Sequence, residues 1–258
     1  MSQRPRIAIV AAAGRGTRFA ATGTKVLADI AGQPCVCRVL DCLDAALDGH
    51  QQVVVVGHEA ERVTAAIGPA EHRRFVTQTE QRGTGHALAT ALASVTEDDA
   101  DIYFVCGDKP LLRPATLARL RQTFEAQPGG MAFLTGRTEG DPEASRQGRV
   151  VRANGQPVAI LEHRQISARA DAAELLGIAE VNVSTYAWRL ADLRRLVPTL
   201  AADAAQAEVL VTDLVRLFAE AGLTVQGLPL DDPREGLGID TPEQWQAVAA
   251  LARTMGVA

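Results

Sequence analysis

Asp108 is a residue of this chain that could do chemistry, because it follows an apolar run in the segment Cys106-Gly107-Asp108-Lys109-Pro110. Open α/β sheets bind ligands in the crevice beyond the carboxyl ends of their strands, so a carboxylate there faces the crevice. It reads either as an acid in a strand-to-helix turn or as a ligand for a hard cation, since Mg²⁺ takes one or two carboxylates together with substrate phosphate oxygens. A second carboxylate, Asp240, lies in Gly238-Ile239-Asp240-Thr241-Pro242 and serves equally well as a helix N-cap. The segment Ala11-Ala12-Ala13-Gly14-Arg15-Gly16-Thr17-Arg18 directly follows the first apolar run. Small residues and two glycines allow the backbone to approach a phosphate and present its N–H groups. Arg15, Arg18 and Lys25 add the positive charge that a triphosphate needs. The segment lacks the Gly-Lys-Ser/Thr ending of a P-loop and is not a full G-x-G-x-x-G, which speaks against a P-loop ATPase and a dinucleotide-dependent oxidoreductase.

The elements that must carry these residues follow from apolar patterning. Continuous apolar runs at 7–11, 53–56, 102–106 and 131–134 suit strands covered on both faces. Helix-like stretches at 35–47, 59–67, 85–95 and 115–127 alternate with them. That alternation predicts an α/β fold with a doubly wound, Rossmann-like mixed sheet. Asn154-Gly155 between two apolar segments predicts an antiparallel hairpin insertion. A strand over 180–186, a helix starting at 187, an amphipathic helix over 209–221 and a strand over 224–228 follow, and Asp240-Thr241-Pro242-Glu243 opens a closing helix. No linker or repeat divides the chain, so the expectation is a single domain over 1–258. Within it, roughly 5–130 forms a nucleotide-binding half, 131–241 an acceptor half and 242–258 the closing helix.

With 258 residues, 47% of them apolar, the chain can bury a sizeable core. A net charge of -5 and 4% aromatics argue against nucleic-acid binding, and no apolar run is long enough for a membrane span. The short apolar stretch after Arg6 runs straight into the glycine segment, unlike a signal peptide. Cys35, Cys37, Cys42 and Cys106 form no C-x-x-C pair and read as free thiols in a reducing, hence cytoplasmic, compartment. The five histidines never fall at i, i+4, which disfavours a histidine-ligated transition metal.

Ala12-Ala13-Gly14-Arg15-Gly16-Thr17-Arg18 with Lys25-Val26-Leu27 resembles the signature of sugar-phosphate nucleotidyltransferases. Further segments resemble the uridyltransferase domain of bacterial N-acetylglucosamine-1-phosphate uridyltransferases: Gln78-Thr79-Glu80-Gln81-Arg82-Gly83-Thr84-Gly85-His86-Ala87, Gly107-Asp108-Lys109-Pro110-Leu111 and Gly148-Arg149-Val150-Val151-Arg152. Leu161-Glu162-His163-Arg164, Glu180-Val181-Asn182, and Ala205-Gln206-Ala207-Glu208 with Thr212-Asp213 continue that order, so that the likeness spans roughly 5–250. The resemblance implies a fold of the nucleotide-diphospho-sugar transferase type and a Mg²⁺-dependent reaction, with Mn²⁺ as a substitute, joining UTP to a sugar 1-phosphate. It implies Ala12, Ala13, Gly14, Gly16, Gln78, Gln81, Gly83 and Thr84 at the nucleotide, with Gln78 reading the pyrimidine edge. Gly148, Glu162 and Asn182 would hold the sugar, Arg18 and Lys25 the phosphates, and Asp108 with Asp240 the metal.

The chain departs from that family's pattern at Cys106, Arg146-Gln147, Thr24, Val183-Ser184, Ala207, Val209 and Asp240, where Tyr, Gly-Tyr, Pro, Thr-Gly, Gly, Tyr and Asn are usual. Most of these changes fall on the expected sugar side, so the expected acceptor is a hexose 1-phosphate with a preference shifted from, or broader than, N-acetylglucosamine 1-phosphate. A cytidylyltransferase acting with CTP on another phosphorylated or phosphonylated small molecule is the alternative, because an amide at Gln78 does not by itself separate U from C. An idle nucleotide-sensing descendant would have lost Gly14, Arg18, Lys25, Asp108 or Asp240, and all are present. No hexapeptide repeat occurs, so acetyltransferase activity is not expected.

Overall fold

The computed structural model describes residues 4–16, 18–19, 23–138, 142–202 and 208–256, which places Thr17 and the segment 205–207 outside the described residues. Its centre is one mixed sheet. Strands β1 (Arg6–Ala11), β4 (Gln51–Val56), β5 (Arg73–Thr77), β6 (Asp101–Cys106), β7 (Met131–Arg137), β10 (Glu180–Arg189) and β11 (Val225–Pro229) lie in the order β11-β7-β10-β6-β1-β4-β5. All neighbours pair in parallel except β10, which runs antiparallel to both β6 and β7. The predicted hairpin is present as β8 (Arg149–Ala153) and β9 (Gln156–Leu161), and it joins the sheet where Arg149 meets Val181. A separate ribbon, β2 (Asp29–Ile30) with β3 (Gln33–Pro34), stands outside the main sheet.

Both faces of the sheet are covered, as the uninterrupted apolar runs require. Alternate residues of each strand serve opposite layers. Ile7, Ile9, Val53, Val55, Ile102 and Phe104 pack with α3 (Thr84–Leu92), α7 (Leu190–Ala202) and α8 (Asp213–Glu220). Ala8, Val10, Val54, Val56, Tyr103 and Val105 pack with α1 (Cys35–Ala46), α2 (Ala60–Ile67) and α4 (Pro114–Glu125). Short helices α5 (His163–Ser167) and α6 (Ala172–Leu176) follow the hairpin, and α9 (Pro242–Thr254) closes a third apolar cluster around Phe19, Ile30, Cys35 and Leu111.

Two expectations are corrected, and one strand was not anticipated. Residues 187–189 continue β10 rather than starting a helix, because Ala187 and Trp188 pair with β6 on one side and β7 on the other. Full burial of Trp188 there is worth about 2–3 kcal/mol, far more than any local helix preference. Helix α8 starts at Asp213 and not at 209, since the backbone of Val209 pairs with Arg82 and Gly85. Strand β5 carried no sequence signal: Arg73-Arg74-Phe75-Val76-Thr77 is an edge strand, only partly covered, and needs no continuous apolar run.

Candidate active site

The chain runs from β1 outward to β4 and β5, then returns to place β6 on the other side of β1. This reversal is the topological switch point at which open α/β sheets bind ligands. Ala11 and Cys106 are paired at the ends of their strands, and the Gly107 N–H donates to the Ala11 carbonyl at 2.9 Å. The glycine segment and the Asp108 segment therefore leave the sheet side by side. Gly57, at the end of β4, completes the floor: a Cβ there would stand 2.9 Å from the Ala13 side chain and 2.9 Å from Gln81 Nε2.

Lys25 joins the two carboxylates, its Nζ lying 2.5 Å from Asp108 and 2.9 Å from Asp240, with Arg18 3.4 Å from the other Asp240 oxygen. Burial alone would raise the Asp108 pKa, but Lys25 and Lys109 overcome it and bring the carboxyl down to about 2. Burial would likewise lower Lys25, and the charges of Asp108 and Asp240 reverse this and hold the ammonium protonated. Asp240 does not cap α9. Thr241 does so, its hydroxyl accepting from Gln244 N–H at 3.3 Å, which leaves the Asp240 side chain facing Lys25 and Arg18.

The residues expected at the nucleotide are brought to the same end of the sheet. Gln78 is buried and its Nε2 donates to the Gly83 carbonyl at 3.1 Å, so this amide holds the loop ahead of α3 in shape. Gln81 donates to the Gln78 carbonyl at 3.1 Å and accepts weakly from Arg15 Nε at 3.4 Å. Gly83 has φ +98°, and a Cβ there would meet the Val209 carbonyl at 2.5 Å. The Thr84 hydroxyl accepts from Val211 N–H at 3.1 Å, so residues 83–85 and 209–211 form one wall. Gly16 turns at φ +56° beside the Lys25 stem, whereas Gly14 has open space where a Cβ would stand.

Gly148, Glu162 and Asn182, the residues expected at the sugar, lie together. Asn182 N–H donates to the Gly148 carbonyl at 2.9 Å, and a Cβ on Gly148 would lie 3.0 Å from Glu162 Oε1. Burial raises the Glu162 pKa, opposed by its contact with Thr212 and reinforced by Glu208 and Asp213. Asn182 Oδ1 accepts from the Tyr186 hydroxyl at 2.9 Å and from Ser184 N–H at 3.0 Å, across a bulge in β10 where Ser184 has φ +57°. Left-handed backbone costs a non-glycine residue roughly 1–2 kcal/mol, and the Ser184-to-Asn182 bond offsets part of it. Burial pushes the nearby Cys106 thiol up to about 12, reinforced by Asp108, so it stays protonated.

Three contributors were given no role by the sequence. Lys109 follows Asp108 directly and its ammonium lies 3.2 Å from the Gly236 carbonyl, bringing a second cation to the carboxylate. Arg149 is fully buried and donates to the carbonyls of Pro142, Ser145, Gln147 and Leu176, shaping the loop that presents Gly148. Thr24 donates to the Glu59 carboxylate, tying the segment before Lys25 to the start of α2.

A family model described as the MobA-like NTP transferase domain matches residues 8–211. The chain belongs to that family. This MobA-like domain is 36% identical over 248 residues to a protein from Heliobacterium modesticaldum described as bifunctional protein GlmU, covering 95% of this chain and 52% of that one. A second protein of that description, from Nitratidesulfovibrio vulgaris, is 37% identical over 249 residues, covering 96% of this chain and 52% of its own length. The chain thus spans about half the length of the curated relatives it matches. Among solved structures, a chain from Bacillus anthracis described as a glucose-1-phosphate thymidylyltransferase superposes with a TM-score of 0.75 at 17% identity, covering 96% of this chain and 95% of that one. A CMP:2-keto-3-deoxy-manno-octonic acid synthetase complexed with CTP gives 0.67 at 20% identity, covering 97% and 99%. At those identities the likeness is one of fold.

Proposed function

We propose that this MobA-like domain is a Mg²⁺-dependent nucleotidyltransferase that joins UTP to a hexose 1-phosphate, giving a UDP-sugar and pyrophosphate. The observation that carries the reading is Lys25 held between Asp108 and Asp240 at the switch point, beside the glycine segment. A phosphate oxygen of the sugar phosphate attacks the α-phosphorus in line, a new P–O bond forms, and the bond to the bridging oxygen of pyrophosphate breaks. No protein nucleophile is required, so catalysis consists of positioning and charge neutralisation.

The donor set fits a hard divalent cation. Asp108 and Asp240 offer oxygen ligands, and Asp108 Oδ1 is buried with no hydrogen-bond partner among the described residues. A bound Mg²⁺ supplies charge stabilisation at the phosphates, and Mn²⁺ can replace it. Lys25 and Arg18, released from the carboxylates when phosphates enter, orient the triphosphate. Ala12, Ala13, Gly14 and Gly16 line its path, while Gln78, Gln81, Gly83 and Thr84 shape the base wall. Gly148, Glu162 and Asn182 hold the sugar.

The free thiols of Cys35, Cys37, Cys42 and Cys106 suit a reducing, cytoplasmic setting, and among the described residues no helix is long and apolar enough to cross a membrane. The domain works on small molecules rather than on nucleic acid. Pyrophosphate release with UTP, CTP, dTTP, ATP and GTP against a panel of sugar 1-phosphates tests the reading. Turnover with UTP and a hexose 1-phosphate is expected, abolished by EDTA. Release only from CTP with a phosphonate or phosphoalcohol would replace it with the cytidylyltransferase, and full activity in excess EDTA would remove the metal.

A further inference from the structure

The sequence spacing argues against a histidine metal site, but the fold brings together two histidines that no local pattern connects. Asp44 lies in the last turns of α1, His50 immediately before β4 and His72 immediately before β5. These are the starts of parallel strands, at the end of the sheet opposite Asp108. We infer that Asp44, His50 and His72 form a binding site for a transition metal ion of the Zn²⁺ class.

The geometry suits that ion. Asp44 Oδ1 is 3.4 Å from His50 Nε2 and 3.1 Å from His72 Nε2, and all three ligand atoms lie within 4.8 Å of one another. Tetrahedral zinc with bonds near 2.0–2.1 Å needs ligand atoms about 3.3 Å apart. The two imidazoles meet edge to face with centroids 5.5 Å apart. His50 Nδ1 is 2.5 Å from the Leu47 carbonyl, which can only accept, so Nδ1 carries the proton and Nε2 presents its lone pair to the cluster. This is the arrangement by which a backbone carbonyl fixes the tautomer of a ligating histidine. The Gln52 N–H donates to the His72 carbonyl at 2.7 Å, which ties the backbones that carry the two rings.

The remaining neighbours define how strongly the ion is held. Gln52 Nε2 lies 2.7 Å from Asp44 Oδ1 and 3.2 Å from His50 Nε2, so two acceptors already converge on one donor, the position a cation takes over. Arg73 fixes that amide by donating to Gln52 Oε1 at 2.6 Å, and it stands 3.9 Å from the outer Asp44 oxygen, leaving Oδ1 for the ion. Its charge opposes a second cation, and three protein ligands leave one position for water, so the site is of moderate affinity. Imidazole selects zinc and its transition-metal neighbours over Mg²⁺. Bound there, the ion clips α1 to β4 and to the edge strand β5.

The test uses the full chain, stripped with EDTA and dialysed, and Zn²⁺ alone as the probe. Calorimetric titration is expected to show one site, with a higher thermal midpoint on binding, and Co²⁺ is expected to give the visible absorption of a four-coordinate ion. His72 is partly exposed, so His72→Ala is expected to fold and to weaken Zn²⁺ binding at least about 10-fold. Cys37→Ser and Asp108→Asn each remove one candidate donor outside the cluster and are expected to leave this binding in place. Absence of Zn²⁺ binding at 100 µM protein, binding that His72→Ala leaves unchanged, or binding lost on Cys37→Ser or Asp108→Asn would each overturn the inference.

Discussion

Lys25 Nζ and Asp108 Oδ2 lie 2.5 Å apart although 83 residues separate them in the chain, and both side chains are largely buried, 17% and 14% exposed. With Asp240 on its other side, the ammonium sits among the carboxylate oxygens proposed to hold a metal. On the proposed function, a triphosphate and its cation entering here would move Lys25 from carboxylate to phosphate.

Asp108→Asn should lower kcat by about 10²-fold or more, the loss seen when one preorganised electrostatic partner is removed. The fold should persist, because Asp240 still pairs Lys25 at 2.9 Å and spares it the full cost of an isolated buried charge. Pyrophosphate release and a thermal melt on the same sample check both halves, and a variant that does not fold would make Asp108 structural instead.

The depressed Asp108 pKa predicts a specific acid sensitivity. A carboxyl at about 2 in the folded chain against 3.8 without its partners stabilises the fold at pH above 4, and that contribution disappears as pH falls from about 4 to 2. Glu162, raised by burial, acts with the opposite sign: its ionisation costs stability above pH 4.5, and protonation on acidification relieves it. Urea unfolding from pH 6 to 2 should show a shallower acid loss for Asp108→Asn and a steeper one for Glu162→Gln than for the wild type.

Gln78→Ala should blur the choice among UTP, CTP and ATP more than it weakens binding of the triphosphate tail, since base-edge contacts specify and phosphate contacts supply much of the affinity. It should also cost about 1–3 kcal/mol of stability, because the Gly83 carbonyl loses its 3.1 Å donor. Relative kcat/KM values for the three nucleotides, with a denaturation curve, decide the matter; unchanged discrimination would leave Gln78 only the loop-holding role.

Gly148→Ala addresses the acceptor alone. The added Cβ would stand 2.9 Å from Ile160 and 3.0 Å from Glu162 Oε1, so the carboxylate must shift. A displacement of about 1 Å at a positioning group is enough to cost a large factor in rate. The KM for the sugar phosphate should rise about 10-fold or more while the KM for the nucleotide stays within about 2-fold. Equal rises in both would place Gly148 outside the acceptor site.

Much of this protein was legible without coordinates, because local pattern carried it. Ile7-Ala8-Ile9-Val10 is apolar on both sides of a strand, which only a sheet covered on both faces accommodates, and Asn154-Gly155 demands a tight hairpin turn. Asp108 could be placed at the mouth of the crevice since the strand before it was unmistakable. Asp240 could not be separated from a helix cap by spacing alone. What separates them is a lysine 215 positions away and a threonine one residue on that takes the capping role. The extent of β10 and the existence of β5 were equally hidden, because pairing with β6, β7 and β4 decides them, and those partners are remote in sequence. The meeting of His50 with His72 follows from the register of two parallel strands, a long-range relationship that no helical or strand periodicity encodes.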